Sequence, residues 1–176
     1  MHTPRQSGFT LVEMMITLAV LLTVVGIGLP GFQELIRAHR LRAALSGYSG
    51  DFALARISAI GRARQVVVCP SADGRRCVLD SDWRRGWMVF VDADRNLAPD
   101  DADAILQVHA PLPEGLDARS TRGRPYLRYL PDGSSAGSNI SLQLCQRQQM
   151  RARVVVNNAG RVRIERLNQP LPCSLG

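Results

Sequence analysis

The chain has 176 residues, a formal charge of +7 and 45% hydrophobic residues, and all 22 of its basic residues are arginine. The charge is uneven: residues 118–176 hold ten arginines against two acids, whereas residues 73–117 hold five against ten. Four cysteines without a Cys-x-x-Cys pair, and three histidines far apart in sequence, exclude a zinc site. Guanidinium groups are planar donors that match phosphate bidentately, so the last third of the chain points to an anionic partner.

A polar leader, residues 1–8, carries Arg5 and ends at Gly8. The next twenty-one residues, Phe9 to Leu29, hold one charge, Glu13, and no proline. At about 1.5 Å per helical residue they cover ~31 Å, the thickness of a bilayer's hydrocarbon core. A carboxylate inside such a span is costly and is by default a functional hint. No small-x-small cleavage site follows the apolar run, as a secretory signal would require. Arg5 keeps the leader cytoplasmic and sends everything after Leu29 across the membrane. About 147 residues then remain, enough for one globular domain with a core.

The string Gly8-Phe9-Thr10-Leu11-Val12-Glu13, at an N-terminus and opening an apolar helix, resembles the class III leader of type IV pilins and type II secretion pseudopilins. The resemblance implies that a prepilin peptidase cuts after Gly8 and that Phe9 becomes the methylated N-terminal residue. The family's glutamate falls on Glu13 and its helix-bending proline on Pro30. After cleavage the Phe9 ammonium and the Glu13 carboxylate form an opposite-charge pair at i,i+4. The implied organisation is a leader at 1–8, a transmembrane and filament-core helix at 9–29, and a periplasmic domain at 30–176. The subunit would be stored as a single-pass inner-membrane protein and enter a pilus or pseudopilus with other pilin subunits.

Beyond Pro30 the helical pattern resumes. Leu41, Leu45, Tyr48, Phe52, Ala55 and Ala59 are spaced by four, three, four, three and four, one apolar face of a helix that stops at Gly61. A single helix of about fifty residues is expected, its second half packed on a domain. From Gln65 the period changes to short strand-like runs: Val66–Cys69, Cys77–Leu79, Trp87–Val91, Ile105–Val108, Tyr126–Leu130 and Ile140–Leu144. Strands after one helix, with no helices between them, predict an α+β domain with antiparallel sheets. Cys69, Cys77, Cys145 and Cys173 permit three disulfide pairings, and sequence proximity favours Cys69–Cys77 with Cys145–Cys173. The segments Cys69–Cys77 and Asp82–Asp92 also resemble the globular domain shared by GspH pseudopilins and FimT minor pilins. That resemblance implies a long helix packed on β-sheets.

Asp92, Asp94, Asn96, Asp100 and Asp103 occupy positions one, three, five, nine and twelve of a calcium-type loop, but Leu97 stands where the glycine is needed and Asp103 where the bidentate glutamate is needed. The expectation is an acidic solvated loop without a metal. No nucleophile elbow or Cys–His pair is present, so neither catalysis nor a cofactor is expected. The informative stretch is Arg151 to Arg166. Val154, Val156, Val162 and Ile164 fall on one face of a hairpin if Val156 lies opposite Val162 and Val154 opposite Ile164. This leaves the loop Asn158-Ala159-Gly160, with a glycine suited to a left-handed position. The other face carries Arg153, Val155, Arg161, Arg163 and Glu165, with Arg153 opposite Glu165 and with Arg161 and Arg163 free of an acidic partner. Arg151 and Arg166 lie toward the open end.

Gly160-Arg161-Val162-Arg163 resembles the Gly-Arg-x-Arg element of FimT-type minor pilins, which implies DNA capture during natural transformation. Tyr126 and Tyr129 are the nearby aromatic candidates, too few for base stacking, so contact would run through the phosphate backbone without sequence preference. The same leader also suits a structural subunit: a type II secretion pseudopilin, or a minor pilin that primes assembly without binding DNA.

Overall fold

The computed structural model describes residues 10–173, and the expected processing residues Gly8 and Phe9 lie outside them. One long helix, α1 (Leu11–Arg62), is followed by β1 (Val66–Pro70), β2 (Trp87–Val91), β3 (Ile105–His109), β4 (Leu116–Ser120), β5 (Leu127–Tyr129), β6 (Ile140–Gln146), β7 (Gln149–Val156) and β8 (Val162–Pro172). The chain divides into two compact units, residues 1–39 and 40–176.

In the first unit α1 is long and apolar enough to cross a membrane, with an 18-residue window of mean hydropathy 2.3. Thr10 caps its start: the Glu13 N–H donates to Thr10 Oγ1 at 3.3 Å, satisfying one of the amides that a helix start leaves open. The Thr17 and Thr23 hydroxyls donate to the Met14 and Val20 carbonyls at 2.9 and 2.7 Å. Both polar side chains are therefore satisfied within the helix itself. Pro30 lies inside α1, which continues as helix past it.

In the second unit the expected stripe is the core face of the helix. Leu45, Tyr48, Phe52, Ala55 and Ala59 are buried against residues of two four-stranded antiparallel sheets. Sheet A has the order β3-β2-β1-β5 and sheet B the order β4-β6-β7-β8. Every residue of β1 and β2 is buried. Val66, Val68, Trp87, Val89 and Val91 meet the main core, while Val67, Cys69, Met88 and Phe90 form a second cluster with Cys77, Leu97, Ile105 and Tyr126. Burial on both faces explains why these strands read as unbroken apolar runs. Sheet B is covered on one face only, and its strands alternate accordingly.

Three expectations are corrected. Cys77–Leu79 is not a strand: β1 already pairs with β2 on one side and β5 on the other, so no edge remains for it. The segment instead runs as an exposed loop tied by the Cys69–Cys77 disulfide. β4 was not expected, because Leu-Asp-Ala-Arg-Ser offers two apolar residues, yet Leu116, Ala118 and Ser120 turn inward. The helix ends after Gly61, at a left-handed Ala63 with φ 50°. There the Arg64 N–H donates to the Ala59 carbonyl at 3.2 Å and the Ala63 N–H to Ile60 at 3.3 Å. Both bonds of a Schellman cap are made without a glycine.

At the centre, Tyr48 stacks on Trp87 with ring centroids 3.9 Å apart, and Trp87 stacks on His109 at 4.3 Å. Asp51 Oδ2 accepts from Trp87 Nε1 at 2.7 Å and lies 3.2 Å from His109 Nε2. The Tyr48 hydroxyl donates to the Trp83 carbonyl at 3.0 Å. Burial raises the Asp51 carboxyl above its ordinary value, against the opposing pull of the indole N–H and of His109.

Both favoured disulfides are present, Cys69–Cys77 and Cys145–Cys173. Removing the first by alanine substitution should cost about 2–3 kcal/mol and removing the second about 3–4 kcal/mol, read by urea denaturation of the chain in detergent. A raised acid favours the folded state most at low pH and loses that advantage as pH rises through its folded value. The stability difference between wild type and Asp51→Asn should therefore shift toward the asparagine variant as pH rises from the ordinary carboxylate value to the raised folded one, then level off.

Candidate nucleic-acid interface

β7 and β8 pair in the expected register, with Val156 opposite Val162, Val154 opposite Ile164 and Arg153 opposite Glu165. The tip is a tight loop. Gly160 N–H donates to the Asn157 carbonyl at 2.8 Å, and the Asn157 N–H donates to the Arg161 carbonyl at 3.3 Å. Asn157 Oδ1 accepts the Arg161 N–H at 3.0 Å. Gly160 has φ 74°, and a Cβ there would run into the Gly133 carbonyl and come within 3.0 Å of the Tyr129 ring.

The hairpin tip is docked onto the loop that follows β5. Ser135 donates twice, from its N–H to the Asn158 carbonyl at 2.9 Å and from its hydroxyl to the Asn157 carbonyl at 2.7 Å. Arg56 reaches from α1 to both turns: Nε donates to the Gly133 carbonyl at 3.0 Å and Nη2 to the Ala159 carbonyl at 3.2 Å. A helix side chain thus joins two turns 26 residues apart in sequence. The turn before Gly133 is held by Asp132, whose side chain accepts the Ser134 N–H at 2.9 Å; that bond lowers its carboxyl below the ordinary value.

On this fixed tip the five expected arginines divide. Arg153, Arg161 and Arg163 share the outward face. Arg161 is exposed, and its guanidinium makes no hydrogen bond or ion pair among the described residues. Arg163 is not free, as expected, but paired: Nε and Nη2 both lie 2.9 Å from Glu165 Oε1. Residues two apart on a strand point the same way, and these long side chains reach across that spacing, so Glu165 pairs with Arg163 as well as with its cross-strand neighbour. Arg153 Nε stands 3.8 Å from Glu165 Oε2 and is buried without a hydrogen bond. Arg166 pairs in register with Ala152 and so lies on the opposite face. Arg151 stands where the register breaks, opposite the four residues Leu167 to Pro170 of β8. Tyr129 is fully buried and Tyr126 packs on the second cluster, so neither is a stacking platform. Arg56 was not expected at this site; its only sequence signal is its place directly after Ala55 of the buried stripe.

The acidic loop does not gather its carboxylates. Asp92 is buried and accepts from Gln65 Nε2 at 2.8 Å, Asp94 accepts from Asn96, and Asp101 caps a short 3-10 turn. Among the described residues no three His, Cys, Asp or Glu side chains converge.

The family model described as type II transport protein GspH matches residues 47–160, and the model of the prokaryotic N-terminal methylation motif matches residues 3–29. No curated protein sequence matches the chain. The type IV minor pilin FimU of Pseudomonas aeruginosa is similar in structure in two crystal forms, at 17% identity in each. The first has a TM-score of 0.62, over 78% of this chain and 96% of that one. The second has a TM-score of 0.58, over 74% and 96%. The minor pseudopilin EpsH of Vibrio cholerae gives a TM-score of 0.49 at 17% identity, over 73% of this chain and 98% of that one.

Gly160→Ala adds a Cβ against a backbone carbonyl at a left-handed position, and should destabilise the chain by more than ~1 kcal/mol. Arg56→Ala should raise amide exchange at residues 157–161 while leaving the β1–β2 core amides protected, as followed by hydrogen–deuterium exchange.

Proposed function

Because the chain belongs to the GspH family, we propose that it is a minor pilin of the FimT kind, which captures extracellular DNA through its β7–β8 hairpin for uptake in natural transformation. The observation that carries this reading is Arg161: an exposed guanidinium with no partner among the described residues, on a tip held by Arg56, Ser135 and the Gly160 contact. The held backbone fixes where this cation is presented, and phosphate contacts supply sequence-independent affinity. Arg163 and Arg153 share Glu165, so their charge is partly offset until DNA competes for it. Arg151 and Arg166 add long-range attraction from outside the immediate tip.

The proposed life of the subunit follows from its other end. A prepilin peptidase cuts after Gly8, the helix from Phe9 to Leu29 holds the subunit in the inner membrane, and residues 30–176 stand in the periplasm until other pilin subunits take it into a filament. Glu13 lies in the first turn of α1, and the ammonium of a mature chain starting at Phe9 would be its opposite-charge partner at i,i+4. One observation favours a purely structural subunit of a pilus or secretion pseudopilus instead. Leu54, Ile57 and Ile60 are exposed on α1, an apolar surface suited to a neighbouring subunit.

The test is DNA binding by the chain in detergent across a salt series. Arg161→Ala should reduce the slope of log affinity against log salt by about 0.9, and Arg163→Ala by less. Glu165→Gln should strengthen binding at every salt concentration, because it releases two arginines. A double Arg161→Ala/Arg163→Ala variant that binds like wild type would remove the hairpin as the site. A wild-type chain without DNA affinity at low salt would favour the structural reading.

A further inference from the structure

We propose that the DNA-binding surface extends beyond the hairpin, across the outward face of sheet B to Arg119 on β4; this rests on the DNA-binding reading above. The register carries the argument. Arg119 lies opposite Gln143 of β6, Gln143 opposite Arg153 of β7, and Arg153 opposite Glu165 of β8. One cross-strand row thus spans all four strands, and three gaps of ~4.8 Å make it roughly 14 Å wide at the backbone.

The burial pattern places these side chains on one face. Leu116 and Ala118 of β4, Leu142 and Leu144 of β6, and Ala152 and Val154 of β7 belong to the core, so the residues between them point outward. That face bears no aromatic ring, and its charge is biased. Its acid on β4, Asp117, is engaged by Arg84, whose Nη1 lies 3.4 Å away while Nε lies 2.9 Å from Asp82. Asp82 itself bridges to the backbone of Arg119, which brings this arginine–aspartate group alongside β4. Its acid on β8, Glu165, is engaged by Arg163 at 2.9 Å and more distantly by Arg153 at 3.8 Å. Arg119 is left as a half-buried cation whose guanidinium makes no hydrogen bond or ion pair among the described residues. Arg161 and Arg119 therefore mark the two ends of a diagonal track, with Arg153 between them. A polyphosphate chain laid along that track meets unpaired cations at its two ends and, in the middle, Arg153, which it shares with Glu165.

The experiment uses the full chain in detergent with a 30-base-pair DNA duplex, titrated from low to moderate salt. Arg119→Gln should weaken binding at low salt and reduce the salt slope by about 0.9, one phosphate contact. Arg119→Lys should keep the slope, because it keeps the charge. Arg62→Gln, at the end of α1, serves as the control for net charge and should leave the slope unchanged. An Arg119→Gln chain that binds like wild type while Arg161→Ala loses slope overturns the track and leaves the hairpin reading standing. An Arg62→Gln chain that loses as much slope as Arg119→Gln overturns it as well, by reducing the effect to overall charge. A wild-type chain that does not bind the duplex removes both readings together.

Discussion

The globular unit depends on Tyr48 lying against Trp87. This one contact joins the helix face to the central strand pair of sheet A, and the rings on either side, Trp83 and His109, close around it. Aromatic stacking adds to burial here, but the polar atoms set the geometry. The Tyr48 hydroxyl and the Trp87 indole each find an acceptor, on the Trp83 carbonyl and on Asp51. Large rings with satisfied polar handles have few alternative positions. Because the helix enters sheet A through them, residues one and two turns further along α1 arrive at fixed places, and Arg56 is one of them.

Arg56 links the core to the candidate interface. Its guanidinium serves two backbone carbonyls, one in the loop after β5 and one in the β7–β8 turn. The tip is thus anchored to the helix as well as to its own strands. The backbone of the tip is anchored on its inner side, while the Arg161 guanidinium stands on the outer side with no partner among the described residues. Glu165 tempers its neighbours, holding two arginines that would otherwise repel each other on adjacent strands. As proposed, the site would combine one ready charge with two that an incoming anion would release from the glutamate.

Much of this architecture is legible in the residue pattern, and what is hidden has physical causes. The stripe from Leu41 to Ala59 shows the helix face because burial on one side imposes a 3.6-residue period. The β7–β8 register is visible because alternate valines and a left-handed glycine leave one consistent pairing. β4 is hidden because a strand with one covered face can supply as little as Leu116 and Ala118 to the core. The partnership of Arg163 is hidden because cross-strand opposition assigns Glu165 to Arg153, whereas the long side chains of Arg163 and Glu165, two apart on the same face of β8, also reach each other. Arg56 is hidden for a stronger reason. Its two acceptors lie 77 and 103 residues away along the chain, and they are backbone atoms that carry no residue-specific signal.

The break in β8 opposite Arg151 has a consequence of its own. β8 is the outer strand of sheet B, and an outer strand offers unpaired amides and carbonyls to any similar strand that meets it. Subunits held side by side in a membrane would meet often, and always in the same orientation. The four-residue departure at Leu167 to Pro170, together with Pro172, interrupts that open edge and removes two of its donors. Crowded copies can then wait without zipping into a continuous sheet, and association is left to side chains and to the helix.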